Sequence, residues 1–178
     1  MDLGGEPLPM ETEETGDFHF ILIENMEKDL SPFAVVDFIY RHTSVLTHAY
    51  VFPSLSPETF TRGAIVADSR EKLEKINEFL HDPAHIVMSS RGRPWVMAEK
   101  ILRHGAFQTS FGGIMLKSED EQRDRNAEFD DIKLILCGTK EFKKAEQLKQ
   151  SFTAFVDHLS GLYRRLESDE RMILQSIP

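Results

Sequence analysis

His81 and His85 stand four residues apart and are the one pair of side chains whose spacing suggests a shared metal ion. Helical zinc sites use that spacing because residues i and i+4 lie on one face of a helix. Pro83 stands between them and breaks the helix that this geometry needs. The sequence therefore predicts no metal site.

The chain carries no recognisable pattern for nucleophilic or phosphate chemistry. It has no G-x-S-x-G, no H-E-x-x-H, no phosphate-binding loop and no pair of cysteines. Cys137 lies inside an apolar run, and we interpret it as a buried thiol that has no partner for an internal disulfide. We expect a protein that is not an enzyme, needs no cofactor and has no small-molecule substrate.

Composition predicts one domain with acidic extensions. The 178 residues are 40% apolar, enough to bury a core, and carry a formal net charge of -9. Residues 1–17 contain six acids and no base, and residues 118–131 contain seven acids and two bases, whereas residues 18–117 are balanced. We interpret 1–17 as a disordered tail, 18–117 as the domain and 118–131 as a linker. The balanced part offers no clustered cations for general binding to nucleic acid.

The expected location is the nucleus or the cytosol. A single cysteine argues against a disulfide-stabilised secreted domain. The first 17 residues lack the basic and apolar regions of a secretory signal, and apolar runs fall short of the roughly 20 residues that span a membrane. We predict no secretion and no membrane association.

The stretch Thr61 to Ser69, TRGAIVADS, predicts the central strand of a sheet, with Asp68 and Glu71 starting the next helix as a capping box. Flanking segments predict the order strand, helix, strand, strand, helix, strand. The further strands are Phe18 to Asn25, His48 to Phe52 and His85 to Met88; the helices start at Ser31-Pro32 and after Asp68. This order predicts an α+β sandwich in which two helices cover one face of a four-stranded sheet.

That order resembles the RNA recognition motif family, a ferredoxin-like β-α-β-β-α-β fold. Ile21 to Met26 align with the family hexamer, except that Leu22 replaces an aromatic residue. Arg62 to Ser69 align with the octamer and match at Arg62 and Gly63. The layout is also similar to that of small plant proteins of this fold that act in anti-silencing complexes, bridge chromatin readers and influence alternative polyadenylation. The resemblance implies a nuclear adaptor in mRNA processing or chromatin-linked gene regulation.

The family binds RNA by stacking bases on aromatic side chains of the sheet, at about 1 to 3 kcal/mol per base. In this chain Leu22, Ala64 and Val66 occupy those positions. They predict an aliphatic sheet face that either later segments of the chain or a protein partner must cover. Binding of RNA by another route stays open as the alternative.

The segment after the last predicted strand is open to three interpretations. Arg91, Arg93 and Trp95 could form a polar turn with the tryptophan in the core, a contact with protein, or a contact with single-stranded RNA that also uses Arg62. The residues that follow, Val96 to His104, predict a short helix.

Residues 132–178 predict a strand followed by one long helix from Lys140 to about Ser176. Apolar residues of the helix step by three and four over three heptads, at Ala145, Leu148, Phe152, Phe155, Leu159, Leu162 and Leu166. We expect the first half of the helix to pack on the domain. We expect the second half, from Phe155 to Leu166, to bind protein partners such as chromatin readers or RNA-processing factors.

Overall fold

A computed structural model of the chain describes residues 18–54, 56–103, 116–117 and 131–177. The expected tail 1–17 and nearly all of the expected linker 118–131 lie outside these residues. The described elements are β1 (Phe18–Glu27), α1 (Pro32–Thr43), β2 (His48–Val51), β3 (Phe60–Ala67), α2 (Arg70–Leu80), β4 (His85–Ser89), β5 (Val96–Arg103), β6 (Leu116–Lys117), β7 (Ile132–Leu136) and α3 (Lys140–Ser176).

The main sheet has five antiparallel strands in the order β5-β1-β3-β2-β6, with β3 at its centre. Leu22 of β1 lies opposite Ala64 of β3, and Phe20 lies opposite Val66. Antiparallel sheets with separate helices and a long C-terminal helix make the protein α+β, which confirms the predicted class. The arrangement is compatible with a ferredoxin-like fold.

The prediction for the fourth strand of the sheet was wrong. The strand beside β1 is β5, in the segment predicted as a helix, whereas β4 pairs with β7 in a separate two-stranded sheet. Edge N–H and C=O groups of β1 need partners, and β5 supplies them along Phe18 to Glu24. Pairing along the edge of the sheet therefore overrides the local helical preference of VMAEKILR.

Serine caps begin both shorter helices. The Ser31 hydroxyl accepts a hydrogen bond from the N–H of Phe33 and Pro32 takes the first turn, as predicted. For α2 the cap is Ser69, which accepts from the N–H of Lys72, and not Asp68. Asp68 instead accepts a hydrogen bond from Lys72 Nζ, and this bond lowers the pKa of its carboxyl.

The main core lies between the sheet and the two shorter helices. Odd-numbered positions of β1 and β3 face it, together with the apolar sides of α1 and α2. Its largest members are Trp95, Phe38, Ile21, Ile23, Ile39 and Ile65. Trp95 is 1% exposed and meets Phe38 edge to face at 5.9 Å between ring centroids. Of the three interpretations of Trp95, the structure agrees with the one that places it in the core.

The β4-β7 ribbon links the main core to α3. Val87 and Ile132 face the main core, while Ile86, Met88 and Ile135 pack against Ala145 of α3. Thr139 caps α3 by accepting from the N–H of Phe142, and the helix runs over the predicted length. Cys137, at the turn between β7 and α3, is exposed, so the expectation of a buried thiol was wrong.

Gly63 lies where two strands approach too closely for a side chain. A Cβ there would lie 2.7 Å from the carbonyl oxygen of Tyr50 and would overlap Met26 Sδ. We expect Gly63→Ala to lower the free energy of unfolding by about 1 to 3 kcal/mol, because backbone or Met26 must shift. Urea unfolding followed by circular dichroism measures this.

Gly161→Ala is the matched control, since a Cβ at position 161 meets nothing within 4 Å. Alanine is also the better helix former, so this variant should show no loss of stability. Equal losses for the two variants would contradict the close approach at Gly63.

Candidate functional site

The sheet face expected to bind a partner is buried by the chain itself. Ala64 and Val66 are 1% and 4% exposed and cluster with Phe20, while Leu22 is half-buried beside them. Because a single chain accounts for this burial, the face does not need a partner. Of the two alternatives left open by the sequence, this burial favours cover by the chain itself and gives no support to Ala64 and Val66 as partner-binding residues.

This face also carries aromatic side chains that the motif alignment missed. Phe20 is buried in the cluster, and Tyr50 and Phe52 pack at its margin half-buried. Phe20 stands two residues before Leu22, and the period-two alternation of a strand places both on one face. Reading that alternation would have found Phe20 from the sequence. Its ring is 2% exposed and does not offer a surface for stacking a base.

The guanidinium of Arg93 forms hydrogen bonds and an ion pair within the fold. Its Nη1 donates to Asn25 Oδ1 at 3.0 Å, its Nη2 donates to Thr59, and its Nε lies 3.7 Å from Glu27 Oε2. Ser89 Oγ donates to the other Glu27 oxygen at 2.8 Å. Glu27 is buried, and an unpaired buried carboxylate is costly. Arg93 therefore stabilises the fold.

The other residues expected to contact RNA do not converge on one surface. Arg62 pairs with Glu24 at 3.0 Å, and the exposed Arg91 pairs with Asp29 at 2.8 Å. Trp95 faces the core on the opposite side of the sheet from Arg62. With Arg93 engaged internally, the four predicted residues do not form a joint site.

A groove that the sequence did not predict lies between α3 and the β2-β3 end of the sheet. Its volume is about 470 Å³. The sheet side contributes Phe52 and Phe60, and the helix side contributes Phe152, Phe155 and Leu159. The sequence predicted that the helix has an apolar face. It did not predict that this face meets Phe60, because no local pattern joins residues about ninety positions apart.

Ring contacts define the floor of the groove. Phe60 meets Phe152 edge to face at 5.2 Å and Phe155 at 6.2 Å between ring centroids. The guanidinium carbon of Arg93 lies 5.6 Å from the Phe60 ring centroid, a cation–π contact that holds Phe60 from behind. Phe155 remains 46% exposed, so its ring is available to a ligand in the groove.

The rim of the groove carries charge of both signs. The Glu24 and Arg62 pair lies on one side, and Glu58 lies on the loop before β3. The apolar floor thus offers burial, and the rim offers orientation by hydrogen bonds. A mostly apolar lining with a few polar groups is the usual composition of a ligand-binding groove.

No three or more His, Cys, Asp or Glu side chains among the described residues come together as metal ligands. None of the helices that the structure describes combines the length and apolar character of a membrane span.

Comparison with known proteins gives no relative. No protein-family model, no curated protein and no solved structure matches this chain.

The Arg93 contacts predict a difference between two neighbouring arginines. Arg93→Ala should lower the free energy of unfolding by about 2 kcal/mol, because it leaves Glu27 and Asn25 without their buried partner. Arg91→Ala removes only an exposed pair with Asp29 and should cost less than about 1 kcal/mol. Urea titration compares the two, and a larger loss for Arg91→Ala would contradict the assignment.

Proposed function

We propose that the protein is a non-catalytic adaptor of the RNA-recognition-motif type that binds a protein partner in the groove between α3 and the sheet. A role in the nucleus, in RNA processing or chromatin-linked gene regulation, is part of this proposal, and the resemblance of the motifs supports it. Chromatin readers and RNA-processing factors are the partner classes that follow from it.

The exposed aromatic floor of the groove carries the proposal. Phe155 and Leu159 keep more than a third of their surface in water although they line a concave site. Burying a Phe or Leu side chain fully contributes about 1.5 to 3 kcal/mol, so a partner that completes the burial gains about half of that at Phe155 and about a third at Leu159. Contiguous exposed apolar surface of this kind is typical of interaction sites.

The shape of the groove favours an amphipathic helix as the bound segment. One wall is the helix α3 and the other is the β2-β3 end of the sheet. A helix laid into such a groove presents apolar residues at i, i+3 or i+4 and i+7, and keeps its polar face in water. Glu24, Glu58 and Arg62 on the rim then meet polar groups of the partner.

Two features support a protein partner over RNA. Arg93 and Trp95, which the RNA alternative needs, are committed to internal contacts and to the core. The described cations near the sheet, Arg62 and Arg91, each have a carboxylate partner. Attraction of a phosphate backbone depends on clustered unpaired cations.

A single charge in the groove tests the protein-binding proposal. Phe155→Asp should weaken partner capture from a nuclear extract at least tenfold, because a carboxylate would lose hydration on entering the apolar interface. Quantitative mass spectrometry of proteins retained on the immobilised full chain measures this. The wild-type chain should still retain the proteins that Phe155→Asp loses after the extract has been treated with ribonuclease.

Ala154→Asp is the matched control, since it adds the same charge one residue earlier, at an exposed position outside the groove. It should retain the partners. Circular dichroism checks that both variants keep the helix. Partners that remain on Phe155→Asp, or that ribonuclease removes, would refute the groove as a protein-binding site.

Direct RNA binding gives a separate test. Fluorescence anisotropy with mixed-sequence single-stranded RNA at about 50 mM salt should show no binding at micromolar concentrations, since low salt favours any phosphate contact. Micromolar binding that disappears in Arg62→Ala with Arg91→Ala would favour the RNA-binding alternative instead.

A further inference from the structure

The second half of α3 extends beyond the folded body. Every residue from Gly161 to Ile177 is exposed, although this segment contains Leu162, Leu166 and Ile173. Over this length the helix advances about 24 Å. Helices in water depend on the packing of an apolar face more than on intrinsic propensity. This segment therefore presents an apolar seam that no described part of the chain covers.

The seam has the period of a coiled coil. Leu159, Leu166 and Ile173 recur every seven residues at heptad position a, and Leu162 is at position d. Asp169 and Ser176 take the next two d positions. Arg165 then falls at position g, and Glu170 at position e of the following heptad.

We propose that this segment forms a parallel two-stranded coiled coil with the same segment of a second copy of the chain. In parallel coiled coils a g residue faces the e residue five positions later on the other strand. That spacing joins Arg165 of one copy to Glu170 of the other, and symmetry forms the pair twice. The charge pattern is therefore complementary to itself.

Arg165 and Glu170 form no ion pair within the described part of the chain, so both can pair with a second copy. Residues five apart on one helix do not face each other, and among the described residues neither Arg165 nor Glu170 has an ion-pair partner. The neighbouring Glu167 and Arg171, four apart on the outer face, do pair within the helix at 3.1 Å. The unpaired charges thus flank the seam, and the paired charges lie away from it.

An antiparallel arrangement does not use these charges. Antiparallel coils bring g next to g and e next to e, so the register that sets Leu162 against Leu166 would bring Arg165 against Arg165 of the second copy. Like charges at flanking positions oppose association. The parallel direction follows from the sequence of charges.

Asp169 makes the association weak rather than permanent. At position d of a parallel dimer the two Asp169 carboxylates approach each other inside the seam, which destabilises the coil. A short interface with one polar layer belongs to the small, transient class. Two grooves would then lie in one assembly, which raises the effective affinity for a partner that carries two binding segments.

Sedimentation equilibrium of the full chain tests self-association, over concentrations of about 1 to 500 µM because small interfaces bind weakly. We expect a reversible monomer–dimer equilibrium. Leu162→Asp should abolish it, and Asp169→Leu should tighten it at least tenfold. The proposal would be overturned if the chain stayed monomeric at every concentration, or if Asp169→Leu did not dimerise more tightly than the wild type.

Charge reversal tests the register. Arg165→Glu should weaken the dimer about tenfold, because two attractive pairs become repulsive. The double variant Arg165→Glu with Glu170→Arg should restore wild-type association. The swap Glu167→Arg with Arg171→Glu, on the outer face, is the matched control and should change nothing. Failure of the double variant to restore the dimer would refute the Arg165 to Glu170 contact.

Disulfide trapping tests the direction. In a Cys137→Ser background, Ser176→Cys places thiols side by side only if the strands are parallel, because disulfides need Cα atoms about 5.5 to 6 Å apart. Rapid covalent dimer formation under mild oxidation is expected, whereas a dimer that resists trapping would refute the parallel direction. None of these variants changes a residue that lines the groove, so a failure of self-association would leave the groove proposal standing.

Discussion

The partly buried contact between Arg93 and the end of β1 joins the turn after β4 to the main sheet. β1 contains a bulge near Asn25, which adopts a left-handed conformation with φ 62°. Asparagine tolerates that conformation better than most residues, and its side chain donates to the Pro94 carbonyl and accepts from Arg93. The turn after β4 is thereby fixed to β1, so the next segment continues along the β1 edge as β5.

Once β5 occupies that edge, β4 cannot pair with β1 and takes β7 as its partner instead. β7 leads through a short turn into α3, and the ribbon presents Ile86, Met88 and Ile135 to Ala145. The start of α3 is therefore anchored to the body through β4. The groove arises where the same helix passes Phe60, so its position is a consequence of strand pairing more than of the helix sequence.

Sequence patterns predicted the elements whose formation depends on neighbouring residues alone. The buried β3, the Ser31-Pro32 start of α1 and the length of α3 all follow from apolar periodicity and capping. The strand at Val96–Arg103 was not predicted, because this segment consists largely of good helix formers and becomes a strand only by pairing with β1. The contact of Arg93 with Asn25 was not predicted, since Asn25 stands 68 residues away and no local pattern joins the two.

The aliphatic face of the sheet was expected to be covered either by the chain or by a partner, and it is buried within the chain. Ala64 and Val66 do not leave an exposed apolar surface, because both are buried in a cluster with Phe20. Exposed apolar surface appears instead on α3, where Phe155 and the seam beyond it meet solvent. Because α3 is anchored at its start and exposed over its second half, it presents one apolar surface beside the body, at the groove, and a second one beyond it.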